Sequence, residues 1–237
     1  MAVHDKAYLE QIDKYYEKKL KSHDLIHLGK TPKLLIQFGA PKLPIVMLQS
    51  TITKCIRKPS GSRSAHDLPR SIIESLPEQI RNPIFLIQDK GRNSISLISS
   101  MADKKNNQIL IAIHLNEKHK EIQVNEVKSI YGKTNLKEYL EGHIEENQLN
   151  IIDIKKAEIL SRVIGLQLPK ALIASSYNNR IALQSPKVNK KKTQSLDFQG
   201  KGMQSIHRKL ESFQKNINQS NGKGHSPAQT KQEYENR

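Results

Sequence analysis

The chain has 237 residues, 36% hydrophobic and 5% aromatic with no tryptophan, a composition thinner in core-formers than an ordinary globular chain, so part of the length is expected to lie outside any core. Its 39 Lys+Arg against 23 Asp+Glu give a formal net charge of +16, which attracts polyanions, nucleic acid first and an acidic protein second. The single Cys55 excludes an internal disulfide framework, a CxxC redox pair and a cysteine-rich zinc site.

Residues 4–22 space Tyr8, Ile12, Tyr15, Tyr16 and Leu20 among charged positions, which predicts an amphipathic helix whose stripe packs on the domain that follows. Residues 1–27 are read as this helical segment, 28–185 as the domain and 186–237 as a tail. Thr31-Pro32 marks a helix start, with Thr as N-cap and Pro at the first turn, and Gly39 is its stop. Ile45–Leu48 fits a short buried strand, and Ser50–Arg57 a helix carrying Lys54. A loop rich in Gly, Ser and Pro follows and holds Arg63 and His66; helical spacing returns over 69–80 around Pro77.

From Pro83 three runs of branched residues, Ile84–Gln88, Ser94–Ser99 and Gln108–His114, are separated by turn-like 89–93 and 103–107, with a fourth strand at Val124–Tyr131. Helices are predicted over 134–147, with Leu136, Tyr139, Leu140 and Ile144 inward, and over 154–164. The expected class is α+β, N-terminal helices followed by an antiparallel sheet of about four strands. Residues 186–237 carry 11 basic and 4 acidic residues among many polar ones and are expected to be a disordered basic tail, with one transient helix near 202–214. The first 185 residues hold 28 basic and 19 acidic residues, so the body is basic as well.

No secretory leader and no run of about 18 apolar residues is seen, so no membrane partner is expected; the location read from this is the cytoplasm, or a phage virion or other route that delivers the protein into a target cell. His23 and His27, four apart, would share a helical face as a zinc pair does, but no third ligand lies near, and no metal or cofactor is assigned. GxxxxGK[ST], GxGxxG and GxSxG are all absent, which removes the phosphate-binding loops and the hydrolase elbow. The polar residues left in loops and at strand ends are Lys54, Arg63, His66, Ser129, Tyr131 and Lys133. Their chemistry suits metal-independent cleavage of RNA, which needs a proton acceptor, a proton donor and cations around the phosphate. Each also has an ordinary reading: His66 as a loop cap, Tyr131 as a strand-edge aromatic, Ser129 as an outward strand residue, the cations as solvated surface.

The order of local patterns resembles the C-terminal domain of phage MuF-type minor head proteins, found also in large polyvalent proteins of mobile elements. The matching pieces are Leu28-Gly-Lys-Thr-Pro-Lys-Leu-Leu, Leu43-Pro-Ile-Val-Met-Leu-Gln-Ser-Thr-Ile-Thr-Lys54, His66, Ser75-Leu-Pro77, Asn82-Pro-Ile-Phe, Gln108-Ile-Leu-Ile-Ala-Ile-His-Leu115, Val124–Gly132 and Gly165-Leu-Gln-Leu-Pro-Lys-Ala-Leu172. They span roughly residues 28–175. The resemblance implies a place among the barnase, EndoU, colicin and RelE-like ribonucleases, with Lys54, His66, Ser129 and Tyr131 as the catalytic positions. Arg63 and Lys133 are added as nucleic-acid contacts from charge and proximity; where the family often has a basic residue before the loop histidine, this chain has Ala65. The function so implied is a toxin- or effector-type endoribonuclease of phage or mobile-element origin, acting on RNA and open to an acidic immunity protein. The alternative is a non-catalytic head- or injection-associated protein that binds nucleic acid.

Overall fold

The computed structural model describes residues 6–21, 23–58, 66–89 and 91–176. Arg63 and the basic tail lie outside these residues.

The N-terminal stripe forms α1 (Lys6–Tyr16), and Tyr8 and Ile12 enter the same core as Ile26 and Ile72. Next comes β1 (Leu25–Lys30), where helical spacing had placed a histidine pair. His27 is a strand residue here, and His23 sits in the preceding turn, so they share no helical face. The outer edge of β1 is covered by a side chain. Gln11 of α1 accepts from the His27 N–H at 2.8 Å and donates to its carbonyl at 3.2 Å, as a neighbouring strand would.

α2 (Lys33–Gln37) starts after Pro32 and ends before Gly39, whose φ of +87° only glycine adopts at little cost. Thr31 does not cap it: its hydroxyl donates to the Leu43 carbonyl. β2 (Pro44–Leu48) leads directly into α3 (Gln49–Ile56). The helix expected over 69–80 is two, α4 (Arg70–Glu74) and α5 (Leu76–Arg81), meeting at Ser75. Pro77 supplies no N–H for the Ile73 carbonyl four residues back. That carbonyl instead takes a 2.6 Å hydrogen bond from the buried hydroxyl of Tyr8.

β3 (Phe85–Asp89), β4 (Ser94–Ala102), β5 (Gln108–His119) and β6 (Ile122–Gly132) form the expected antiparallel meander. The turns between them use Asn93, Asn106 and Lys120 at positive φ. α6 (Leu136–Glu145), β7 (Leu149–Ile151), α7 (Ile154–Ile164) and α8 (Lys170–Ala174) complete the described chain.

The expectation of about four antiparallel strands is corrected: the sheet has seven strands in the order β1-β2-β6-β5-β4-β3-β7 and is mixed, because β2 runs parallel to β6. β1 and β2 lie among the N-terminal helices in sequence, so the helices do not simply precede the sheet. Local periodicity could not show this. β7 is three residues long, β1 is short and carries a bulge between His27 and Gly29, and the β2–β6 pairing joins residues some 80 positions apart.

The sheet buries both faces. Ile95, Leu97, Ile111, Ile113 and Ile130 point to one side, beneath α1 and α3–α5; Phe85, Ile98 and Leu110 point to the other, beneath α6–α8. His114 projects opposite to Ile111 and Ile113, as alternation predicts.

Candidate functional site

β2 pairs with β6 only over Asn125–Val127. Beyond that the edge of β6 is taken over by α3, which follows β2 without a loop, and Cys55 donates its thiol hydrogen to the Ile130 carbonyl at 3.4 Å. The chain then returns beside the end of α3. The N–H groups of His66, Asp67 and Leu68 donate to the carbonyls of Lys54, Arg57 and Cys55 at 3.3, 3.0 and 2.8 Å, filling acceptors that a helix C-terminus leaves open. These bonds bring His66 to the last turn of β6.

There its ring stacks on Tyr131, with centroids 5.4 Å apart and planes 29° from parallel. Burial, and then the charge of Lys54, push the imidazole below its usual value. Burial pushes the Tyr131 phenol up. Neutral imidazole and neutral phenol therefore lie side by side, with an exposed ammonium close to them. An acceptor, a donor and a cation in one place are the parts that phosphodiester transfer requires.

Ser129 pairs with Ala112, and Tyr131 with Leu110. Two residues apart on one strand, Ser129 and Tyr131 share a sheet face at a Cα spacing of roughly 7 Å. Lys133, just past β6, sits 4.4 Å over the ring of Tyr139 in a cation–π contact. The structure thus gathers His66, Tyr131 and Lys54, sets Ser129 beside them on the sheet, and holds Lys133 toward α6.

Sequence reasoning placed Tyr139 as a core residue of α6. It is half-buried, its phenol pushed up by burial despite a hydrogen bond with Ser96 and influenced by Tyr131, so it borders the site from the helix side. Its edge-on contact with His143, at 4.5 Å, extends the aromatic cluster. Asp67, Asp103 and Gly132 were also missed; they line a cavity beside His66. The signal available was the Tyr131-Gly132 pair, a strand ending in a residue without a side chain.

Among the described residues there is no group of three or more His, Cys, Asp and Glu able to hold a metal ion, and no helix is long and apolar enough to cross a membrane.

The family model described as the phage MuF C-terminal domain matches residues 57–159. The match runs from the end of α3 into α7 and includes His66, Ser129, Tyr131 and Lys133; Lys54 lies three residues before it. The resemblance drawn from the sequence is met over this stretch. No curated protein matches the chain, and no solved structure does.

Proposed function

Proceeding from the match of residues 57–159 to a phage MuF C-terminal domain, we propose that the chain is a metal-independent endoribonuclease of toxin or effector type. The observation that carries this reading is the stack of His66 on Tyr131 at the end of β6, where α3 covers its edge, beside Lys54. Neutral His66 accepts the proton of the RNA 2′-hydroxyl. The 2′-oxygen bonds to phosphorus, the P–O5′ bond breaks, and the leaving oxygen takes a proton from Tyr131, giving a 2′,3′-cyclic phosphate and a free 5′-hydroxyl. Lys54 offsets the negative charge that grows on the phosphate, and Ser129 donates to one of its oxygens. Lys133, with Arg63, supplies further positive charge for the flanking backbone. The basic body, 28 positive against 19 negative residues over 1–185, draws the polyanion in, and the same charge suits an acidic inhibitor protein.

The test incubates the purified chain and its His66→Ala variant with tRNA and a single-stranded RNA in EDTA and analyses the product ends. Products ending in 2′,3′-cyclic phosphate, lost in the variant, are expected. Absence of cleavage together with binding that falls steeply with salt would favour the alternative, a non-catalytic head- or injection-associated protein that binds nucleic acid.

A further inference from the structure

Next to His66 a cavity of about 230 Å³ opens between the His66–Asp67 loop, the β4–β5 turn and the end of β6. Resting on the ribonuclease reading, we infer that this cavity is a nucleobase subsite, taking the base of a nucleotide adjoining the phosphate at His66 and selecting bases that offer N–H donors.

The lining decides the ligand class. Asp67 and Asp103 face it with Lys104 and Lys105, two negative and two positive charges that cancel. A phosphate would meet two carboxylates at close range, whereas a neutral base with both donors and acceptors can use carboxylate and ammonium groups alike. Burial works to raise the Asp103 carboxyl, but hydrogen bonds from the Asn107 amide and from the backbone N–H groups of Asn107 and Lys105 outweigh it and hold the group below the usual carboxylate range. Asp103 is thus a fixed acceptor at neutral pH.

Its position depends on Gly132. A Cβ built there would lie 2.0 Å from Asp103 Oδ2, so the carboxylate occupies the space a side chain would need, and the cavity meets bare backbone one residue past Tyr131. Asp67, at φ +47°, pairs with the exposed Lys104 at 3.0 Å. An exposed pair of this kind is weak and can open to admit a ligand.

The experiment titrates the full chain with each of the four nucleoside 3′-monophosphates and, separately, with inorganic phosphate, following backbone amide resonances by NMR. Nucleotides are expected to shift the amides of 103–107 and 132, with at least a fivefold spread in affinity among them, while inorganic phosphate shifts the His66 region alone. Asp67→Asn, which tolerates the same backbone conformation, should weaken the preferred nucleotide at least fivefold and narrow the spread; if that variant does not fold, Lys105→Ala at an exposed position serves instead. Silent 103–107 amides, equal binding of all four nucleotides, or the same shifts from inorganic phosphate would each overturn the subsite. Selective binding without RNA cleavage would uphold the subsite and refute the catalytic reading; cleavage with silent turn amides would do the reverse.

Discussion

His66 reaches Tyr131 across the edge of β6 because its own N–H is bonded to the carbonyl of Lys54, the residue whose charge acts on its ring. One short segment of backbone therefore sets both the stack and the electrostatics. The imidazole should titrate below 6.5, with midpoint followed by NMR. Lys54→Ala removes the second of the two causes, so the midpoint should rise toward 6.5 without reaching it, since burial remains. The sign for stability follows: a folded value below the unfolded one means protons favour the unfolded chain, so this contribution is present above 6.5 and is lost as the pH falls through the lowered folded value. A midpoint unmoved by Lys54→Ala would refute the coupling.

If Tyr131 donates the proton, Tyr131→Phe keeps the ring against His66 and removes only the hydroxyl. RNA cleavage should then fall by about 10²-fold or more, the usual range for losing one proton-transfer group, while the His66 titration stays nearly in place. Single-turnover cleavage measured beside the NMR titration separates the two. A Phe variant of full activity would confine Tyr131 to a packing role.

Cys55 joins α3 to the β6 edge from inside. Burial drives its thiol up to about 12, against the charge of Lys54. The thiolate, which is the reactive form, is therefore negligible at neutral pH. A disulfide-exchange reagent at pH 8 should label Cys55 at the rate of unfolding, rising with denaturant. Labelling at the rate of a free thiol in native buffer would contradict the burial and the contact.

The meander was legible because β3–β6 carry strong runs of branched residues, the first three divided by Asn-bearing turns, and because each strand pairs with its neighbour in sequence. β1 was not, since Leu25–Lys30 offers only Ile26 and Leu28 as an alternating buried pair beside His27 and Gly29, and its strand character comes from β2 on one side and the Gln11 side chain on the other. The site divides the same way. His66 and Tyr131 stood out as chemistry without a home in a core, yet what joins them is the end of α3 bonding the 66–68 backbone, a contact that no spacing rule encodes. Tyr139 was hidden by its place in an apolar helical stripe, which is where a core aromatic also sits.

Gly132 ties the site to stability. Gly132→Ala brings a Cβ to 2.0 Å from the Asp103 carboxylate, and Asp103 can retreat only by breaking its bonds to Lys105 and Asn107. A cost of about 1–3 kcal/mol is expected from overpacking of this kind, measured by urea denaturation. A neutral result would show that the 103–107 turn yields freely.

The link between Tyr8 and Pro77 allows a sharper test. Tyr8→Phe removes the hydroxyl donor and leaves the Ile73 carbonyl only the backbone N–H at the end of α4, and should cost about 0.5–1.5 kcal/mol. Pro77→Ala returns a backbone N–H four residues after Ile73, the natural donor for that carbonyl in a continuous helix. In the Pro77→Ala background, Tyr8→Phe should then cost distinctly less, a coupling of 0.5 kcal/mol or more in a double-mutant cycle. Two strictly additive costs would mean that the hydroxyl does not stand in for the missing amide, and that the break at Ser75 is held by the bonds of the Ser75 hydroxyl to the Ser71 and Ile72 carbonyls instead.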